Sequence, residues 1–184
     1  MNAQGPPRVV VFESGGGGLS VGACIHRHCP GLELVYLEDN AGFPYGDKSE
    51  TVVIDRCGTL ISTALALYPS DVIVVACNTA STVVLPHLRA MTKVPVVGVV
   101  PAIKPAAAKT INRRLGLLAT PATVRRPYLD RLVEEFAGDC RVERIGDQGL
   151  VRWAAATVSA YEAPTARPQG VIQPFQHTER GTVD

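Results

Sequence analysis

Short β-branched runs recur along this chain at intervals too long for hairpins and long enough for crossover helices. Val9-Val10-Val11-Phe12, Leu34–Leu37, Val72–Ala76 and Val96–Val100 read as buried strands. Between them lie segments with helical spacing: about Leu19 to His28, Ser49 to Tyr68 and about Val83 to Met91. The second of these places Val53, Cys57, Leu60, Ile61, Ala64 and Tyr68 on one face. Strand and helix in alternation predict βαβ units and a mainly parallel sheet.

Pro101 and Pro105 interrupt the pattern near residue 100, after which it restarts. Leu115–Ala119 predicts a strand and Ala122–Phe136 a helix, with Gly138 past its end. Cys140–Ile145 predicts another strand and Leu150–Ala160 another helix. The expected fold is therefore α/β, with two similar doubly wound parallel-sheet domains. Residues 1–99 form the first and residues 100–184 a partial second. Beyond Glu162 the chain turns polar and rich in Pro, Gln and Arg, with one helical turn expected near Val171–Phe175. Two visible strands cannot cover a sheet of their own, so the second domain is expected to be incomplete.

A chain of 184 residues can bury one good core or two small ones. Its formal net charge of +1 argues against a nucleic-acid groove or a polybasic membrane patch. No apolar run approaches the length of a membrane span, and the polar start, Met1–Arg8, lacks the features of a signal peptide. Five cysteines, odd in number and without a CxxC pair, fit reduced thiols in a cytoplasm.

In an open parallel sheet, ligands gather outside the carboxyl ends of the strands. Three loops leave such ends: Glu13–Gly18, Asp39–Gly46 and Cys77–Ser81. All three are expected at one edge. Cys77, with Asn78 and Thr79 beside it, can serve as nucleophile or general base, or simply close a strand as a small hydrophobe. The glycine run after Glu13-Ser14 can leave backbone N–H groups free for an anion, or can be a flexible turn. It is not a dinucleotide fingerprint, because Val21 stands where glycine is required, and no Gly-Lys-Ser/Thr follows it. Tyr45-Gly46 after Pro44 can offer a phenol and an amide to a carboxylate, or form an ordinary turn. Thr120 and Thr123 can add hydroxyls from the second domain, although Thr120 can equally cap the helix that follows. Cys24, His26, His28 and Cys29 invite a metal reading, but only Cys24 and His28 share a helix face, so no metal site is expected.

Five runs, continuous in order over about Val9–Trp153, resemble the successive motifs of the aspartate/glutamate racemase family, and of glutamate racemases in particular. They are Phe12–Val21, Asp39–Gly46, Ala76–Ser81, Val94–Ala106 and Gly116–Val124. The resemblance implies two α/β domains and a cofactor-independent enzyme that interconverts L- and D-glutamate for peptidoglycan precursors. It implies two cysteines flanking the substrate α-carbon, one removing a proton and the other returning one. Cys77 would be one of them, assisted by Glu13. Ser14, Tyr45, Gly46, Asn78, Thr79 and Thr120 would bind the substrate. The implied partner is the amino acid itself, and the resemblance leaves a homodimer open. An aspartate-specific relative or a non-catalytic amino-acid-binding remnant are the alternatives.

Two departures stand out. The family carries Asp where this chain has Glu13, one methylene longer. Its second cysteine lies in a Gly-Cys-Thr-His segment that these 184 residues do not contain, and Arg180–Asp184 resembles the lead-in to it. The expectation is a C-terminally truncated racemase that does not itself invert glutamate.

Overall fold

The computed structural model describes residues 5–149 and 153. They divide into two compact units that meet in sequence between Val100 and Pro101. In the first, the elements run β1 (Arg8–Glu13), α1 (Gly18–His28), β2 (Glu33–Glu38), α2 (Glu50–Leu67), β3 (Val72–Val75), α3 (Asn78–Met91) and β4 (Val96–Gly98). Two short 3-10 turns, Asn40–Gly42 and Tyr45–Asp47, fill the connection from β2 to α2, and the Phe43–Pro44 peptide between them is cis.

The four strands form one parallel sheet in the order β2-β1-β3-β4. Side-chain alternation gives it two apolar faces. Val9, Val11, Val74 and Ala76 pack with Val21 and Ile25 of α1. Phe12, Ile73 and Val75 point the other way, onto Val53, Cys57 and Ile61 of α2 and Val84, Leu85 and Leu88 of α3. The α2 contacts recur every four residues, the helical period read from the sequence. Each fully buried Val or Ile contributes roughly 1.5–3 kcal/mol, so packing rather than intrinsic propensity holds the helix. Ser49 caps α2, its hydroxyl accepting from Val52 N at 3.4 Å.

The second unit contains α4 (Ile103–Lys109), β5 (Arg114–Ala119), α5 (Pro121–Val124), α6 (Pro127–Phe136) and β6 (Arg141–Gly146). β5 and β6 pair in parallel, and Ile103, Ala107, Leu115, Leu129 and Ala137 form their core. Both units are thus mixed α/β with parallel strands, and among the described residues the second sheet has two strands.

Three expectations need correction. The helix expected over Ala122–Phe136 is two helices. Pro127 has no N–H to donate and drives Arg126 out of the helical region, to φ −76° and ψ 135°. The helix expected from about Val83 begins five residues earlier, at Asn78. Its first turn, Asn-Thr-Ala-Ser, carries no apolar periodicity, so the pattern became visible only farther on. The strand expected over Val96–Val100 stops at Gly98. The helix expected over Leu150–Ala160, Trp153 apart, and the turn near Val171–Phe175 lie outside the described residues.

Candidate active site

Strand order reverses between β1 and β3. The chain leaves β1 toward β2 on one side and returns to β3 on the other, which opens a crevice at the carboxyl ends of the two central strands. Phe12 pairs with Val75 and Glu13 with Glu38, so the three expected loops do leave the same edge.

Cys77 sits at this crevice as the N-cap of α3, in extended backbone with φ −78° and ψ 112°. Its Sγ accepts from Ala80 N at 3.5 Å, filling the place that a serine or aspartate oxygen takes in most caps. Ser14, one residue beyond the end of β1, brings its Oγ to 3.4 Å from the sulfur. The Glu13 carboxylate hydrogen-bonds the same thiol and also accepts from Gly15 N. A Cβ on Gly18 would stand 2.9 Å from Glu13 Cβ, so the first residue of α1 must be small for Glu13 to lie there.

The electrostatics favour a neutral thiol. Burial, followed by the negative charge of Glu13, pushes the Cys77 thiol up to about 11, against the Ser14 hydroxyl and the Ala80 amide. A helix N-terminus ordinarily lowers a thiol pKa. Here desolvation outweighs it, because only 3% of Cys77 is exposed. Burial also pushes the Glu13 carboxyl up, opposed by hydrogen bonds from Gly15, Cys77 and Ser14. The Cys77 thiol therefore rests protonated, with the Glu13 carboxyl beside it.

The loop after β2 closes one side. Tyr45 is buried in the same apolar cluster as Cys77 and Phe12. Its hydroxyl donates to Asp39 Oδ2 at 2.6 Å, and burial, with this bond after it, holds the phenol well above its usual range. The phenol is therefore committed inward. The expectation that it faces a substrate carboxylate is corrected, because a buried hydroxyl gains most from a charged acceptor already beside it. Gly46 is half-buried, in the 3-10 turn that packs against α3. Thr79 is buried and Asn78 exposed, both in the first turn of α3. Thr120 belongs to the second unit, where its Oγ1 accepts from Thr123 N at 3.2 Å and caps α5.

Sequence reasoning passed over Asp39 and Arg56. Arg56, on α2, donates to Asp39 from Nε at 2.6 Å and from Nη2 at 2.5 Å. Its nearest signal was an Asp at a strand end followed by Asn-Ala-Gly. Nothing local links it to an arginine 17 residues on. Among the described residues, no group of His, Cys, Asp and Glu could hold a metal ion, and His28 Nδ1 lies instead 2.8 Å from the Cys24 carbonyl. No helix among them is long and apolar enough to cross a membrane.

The profile of the Asp/Glu/Hydantoin racemase family matches residues 19–167. Glutamate racemase of Shewanella loihica is 54% identical over 143 residues, covering 78% of this chain and 54% of that protein. Glutamate racemase of Erwinia tasmaniensis is 47% identical over 169 residues, covering 92% of this chain and 60% of that protein. The crystal structure of Escherichia coli glutamate racemase, in complex with L-glutamate and the activator UDP-MurNAc-ala, superposes with a TM-score of 0.90 at 43% identity. That match covers 96% of this chain and 66% of the other. The chain thus spans between half and two thirds of these relatives' length. The profile match over most of the chain is decisive: this protein belongs to the Asp/Glu/hydantoin racemase family.

Proposed function

We propose that this chain carries one half of a cofactor-independent glutamate racemase site, with Cys77 as the acid/base on one face of the substrate α-carbon. The observation that carries the proposal is the Ser14–Cys77–Glu13 cluster at the strand-order reversal. The relatives' names support glutamate as substrate. D-Glutamate supply for peptidoglycan precursors, a cytoplasmic setting and two racemase domains meeting at residue 100 follow from the same reading. The five cysteines are free thiols, consistent with that compartment.

A proton α to an ionised carboxylate is very weakly acidic, so the base must be held in contact and the developing charge stabilised. The resting Cys77 is protonated. A substrate ammonium entering beside it supplies the positive charge that favours the thiolate, and Glu13 is placed to take the thiol proton or to bind the ammonium. Asn78, Thr79 and the Ser14 hydroxyl, with the Tyr45 and Gly46 backbone amides, are proposed to hold the two carboxylates.

Cys77 by itself serves one face. The 184-residue chain in deuterium oxide is expected to exchange the α-proton of one glutamate enantiomer without inverting it. Exchange of neither enantiomer, or exchange of aspartate in place of glutamate, overturns the proposal in its activity or in its substrate.

A further inference from the structure

Asp39 lies at the end of β2, and its carboxylate receives four donors. Gly42 N reaches Oδ1 at 3.0 Å, Tyr45 Oη reaches Oδ2 at 2.6 Å, and the Arg56 guanidinium takes both oxygens. The backbone N–H of Asp39 donates to Glu13 O at 2.9 Å, which ties this knot to the end of β1. Cys57, next to Arg56 on α2, donates from Sγ to the Tyr45 hydroxyl at 3.9 Å. Gly42 is small for a stated reason: a Cβ there would stand 2.6 Å from Arg56 Nε and closer still to Asp39. Two consecutive residues of one helix thus hold Asp39 and Tyr45, on either side of residues 40–44.

We propose that Arg56 is a positioning residue, fixing this loop through Asp39 so that the Tyr45 and Gly46 amides stand at the strand end next to Cys77, ready for a substrate carboxylate. The role rests on the glutamate reading for its ligand but not for its geometry. Both side-chain hydrogen bonds of the Arg56 fork end on Asp39, so it acts through Asp39. Its charge matters as well as its shape. Asp39 is 4% exposed and follows β2 next to the strand that ends at Glu13. Unpaired, it would add a second buried negative charge to a crevice meant for a dicarboxylate. A fork that takes both carboxylate oxygens removes that repulsion and sets the loop's orientation together, which a single ammonium does less well.

The test uses the whole 184-residue chain, with amide hydrogen exchange read peptide by peptide and the dissociation constant for glutamate measured alongside. Arg56→Met should accelerate exchange in Asn40–Asp47 at least tenfold, leave the β1 and β3 peptides unchanged, and raise the glutamate dissociation constant at least tenfold. Arg56→Lys should restore part of both. Arg56→Met combined with Asp39→Asn should recover most of the loop protection, because the amide oxygen accepts from Gly42 while its NH2 donates to the Tyr45 hydroxyl, and no cation is needed. The lysine and double variants carry the test if Arg56→Met fails to fold. An unchanged loop in Arg56→Met, or a double variant no better than the single, overturns the proposal. A loosened loop with unchanged glutamate affinity overturns the positioning role alone. A wild-type chain that binds no glutamate, yet shows the loop effects, removes the substrate reading and leaves Arg56 holding the loop.

Discussion

Two strand-to-helix junctions in this chain have the same local build and different surroundings. Cys77 caps α3 by accepting from the amide three residues on, and Thr120 caps α5 in the same way. β3 is the buried run Val-Ile-Val-Val with paired strands on both sides. β5, Arg-Leu-Gly-Leu-Leu-Ala, has β6 as its partner among the described residues and is mostly half-buried. Around Cys77 stand Ser14 and Glu13 from a neighbouring strand end. The Thr120 hydroxyl meets Thr123, from its own helix, at 2.9 Å. A cap residue becomes a candidate for chemistry when a second strand end delivers charge and hydrogen bonds to it. The cap by itself only starts a helix.

The sharpest way to break this comparison is to remove the sulfur and keep the cap. Cys77→Ser should leave the melting temperature nearly unchanged while α-proton exchange of glutamate falls at least 100-fold, the low end of general-base contributions. Exchange within tenfold of wild type would put the chemistry elsewhere.

Next in size is the buried knot beside the crevice. Tyr45→Phe deprives the buried Asp39 carboxylate of a donor and should lower unfolding free energy by about 2 kcal/mol, read from the denaturant midpoint at constant slope. The same carboxylate gives a pH signature. Arg56 first, and Tyr45 after it, hold Asp39 at about 2, below its usual value near 4. A depressed carboxylate stabilises the fold above its unfolded pKa and loses that contribution as pH falls through the folded value. Asp39's share of stability should therefore be level above about pH 5 and decline from there toward pH 2.

A smaller effect sharpens the electrostatic half of the comparison. The Glu13 charge is the second cause, after burial, of the raised Cys77 pKa. Glu13→Gln should lower that pKa and speed alkylation of Cys77 at pH 8 by up to tenfold. Cys24 and Cys29, both exposed, should react first in either protein, and Cys57, pushed by burial up to about 12, last. An unchanged Cys77 rate in the variant would mean that burial alone sets the thiol.

The smallest expected effect is on the second junction. Thr120→Ala should cost about 1 kcal/mol of stability, the usual worth of a threonine cap, and leave one-sided α-proton exchange in place. The denaturant midpoint reads the first and deuterium incorporation the second, and a variant as stable as wild type would show that the hydroxyl contributes nothing to α5.

Much of this was legible along the chain. Buried strands announce themselves by β-branched runs and α2 by a four-residue apolar repeat, because both patterns are set by backbone geometry within a few residues. Cys77, Glu13 and Ser14 could be found because strand ends in a parallel sheet share an edge. Pro127 also carried its message locally, and the broken helix shows the cost of following apolar periodicity past a proline. The start of α3 was hidden because its first turn is polar and its cap is a thiol.

The sequence by itself determined the alternation of elements, the family motifs and the residue types at three loop ends, since each depends on neighbours in the chain. Only the tertiary structure decided that Cys77 rests as a thiol, that the Tyr45 phenol turns inward and that Arg56 serves a loop on another element. Burial and charge act through space, and the groups that set them here lie 6 to 63 residues apart along the chain.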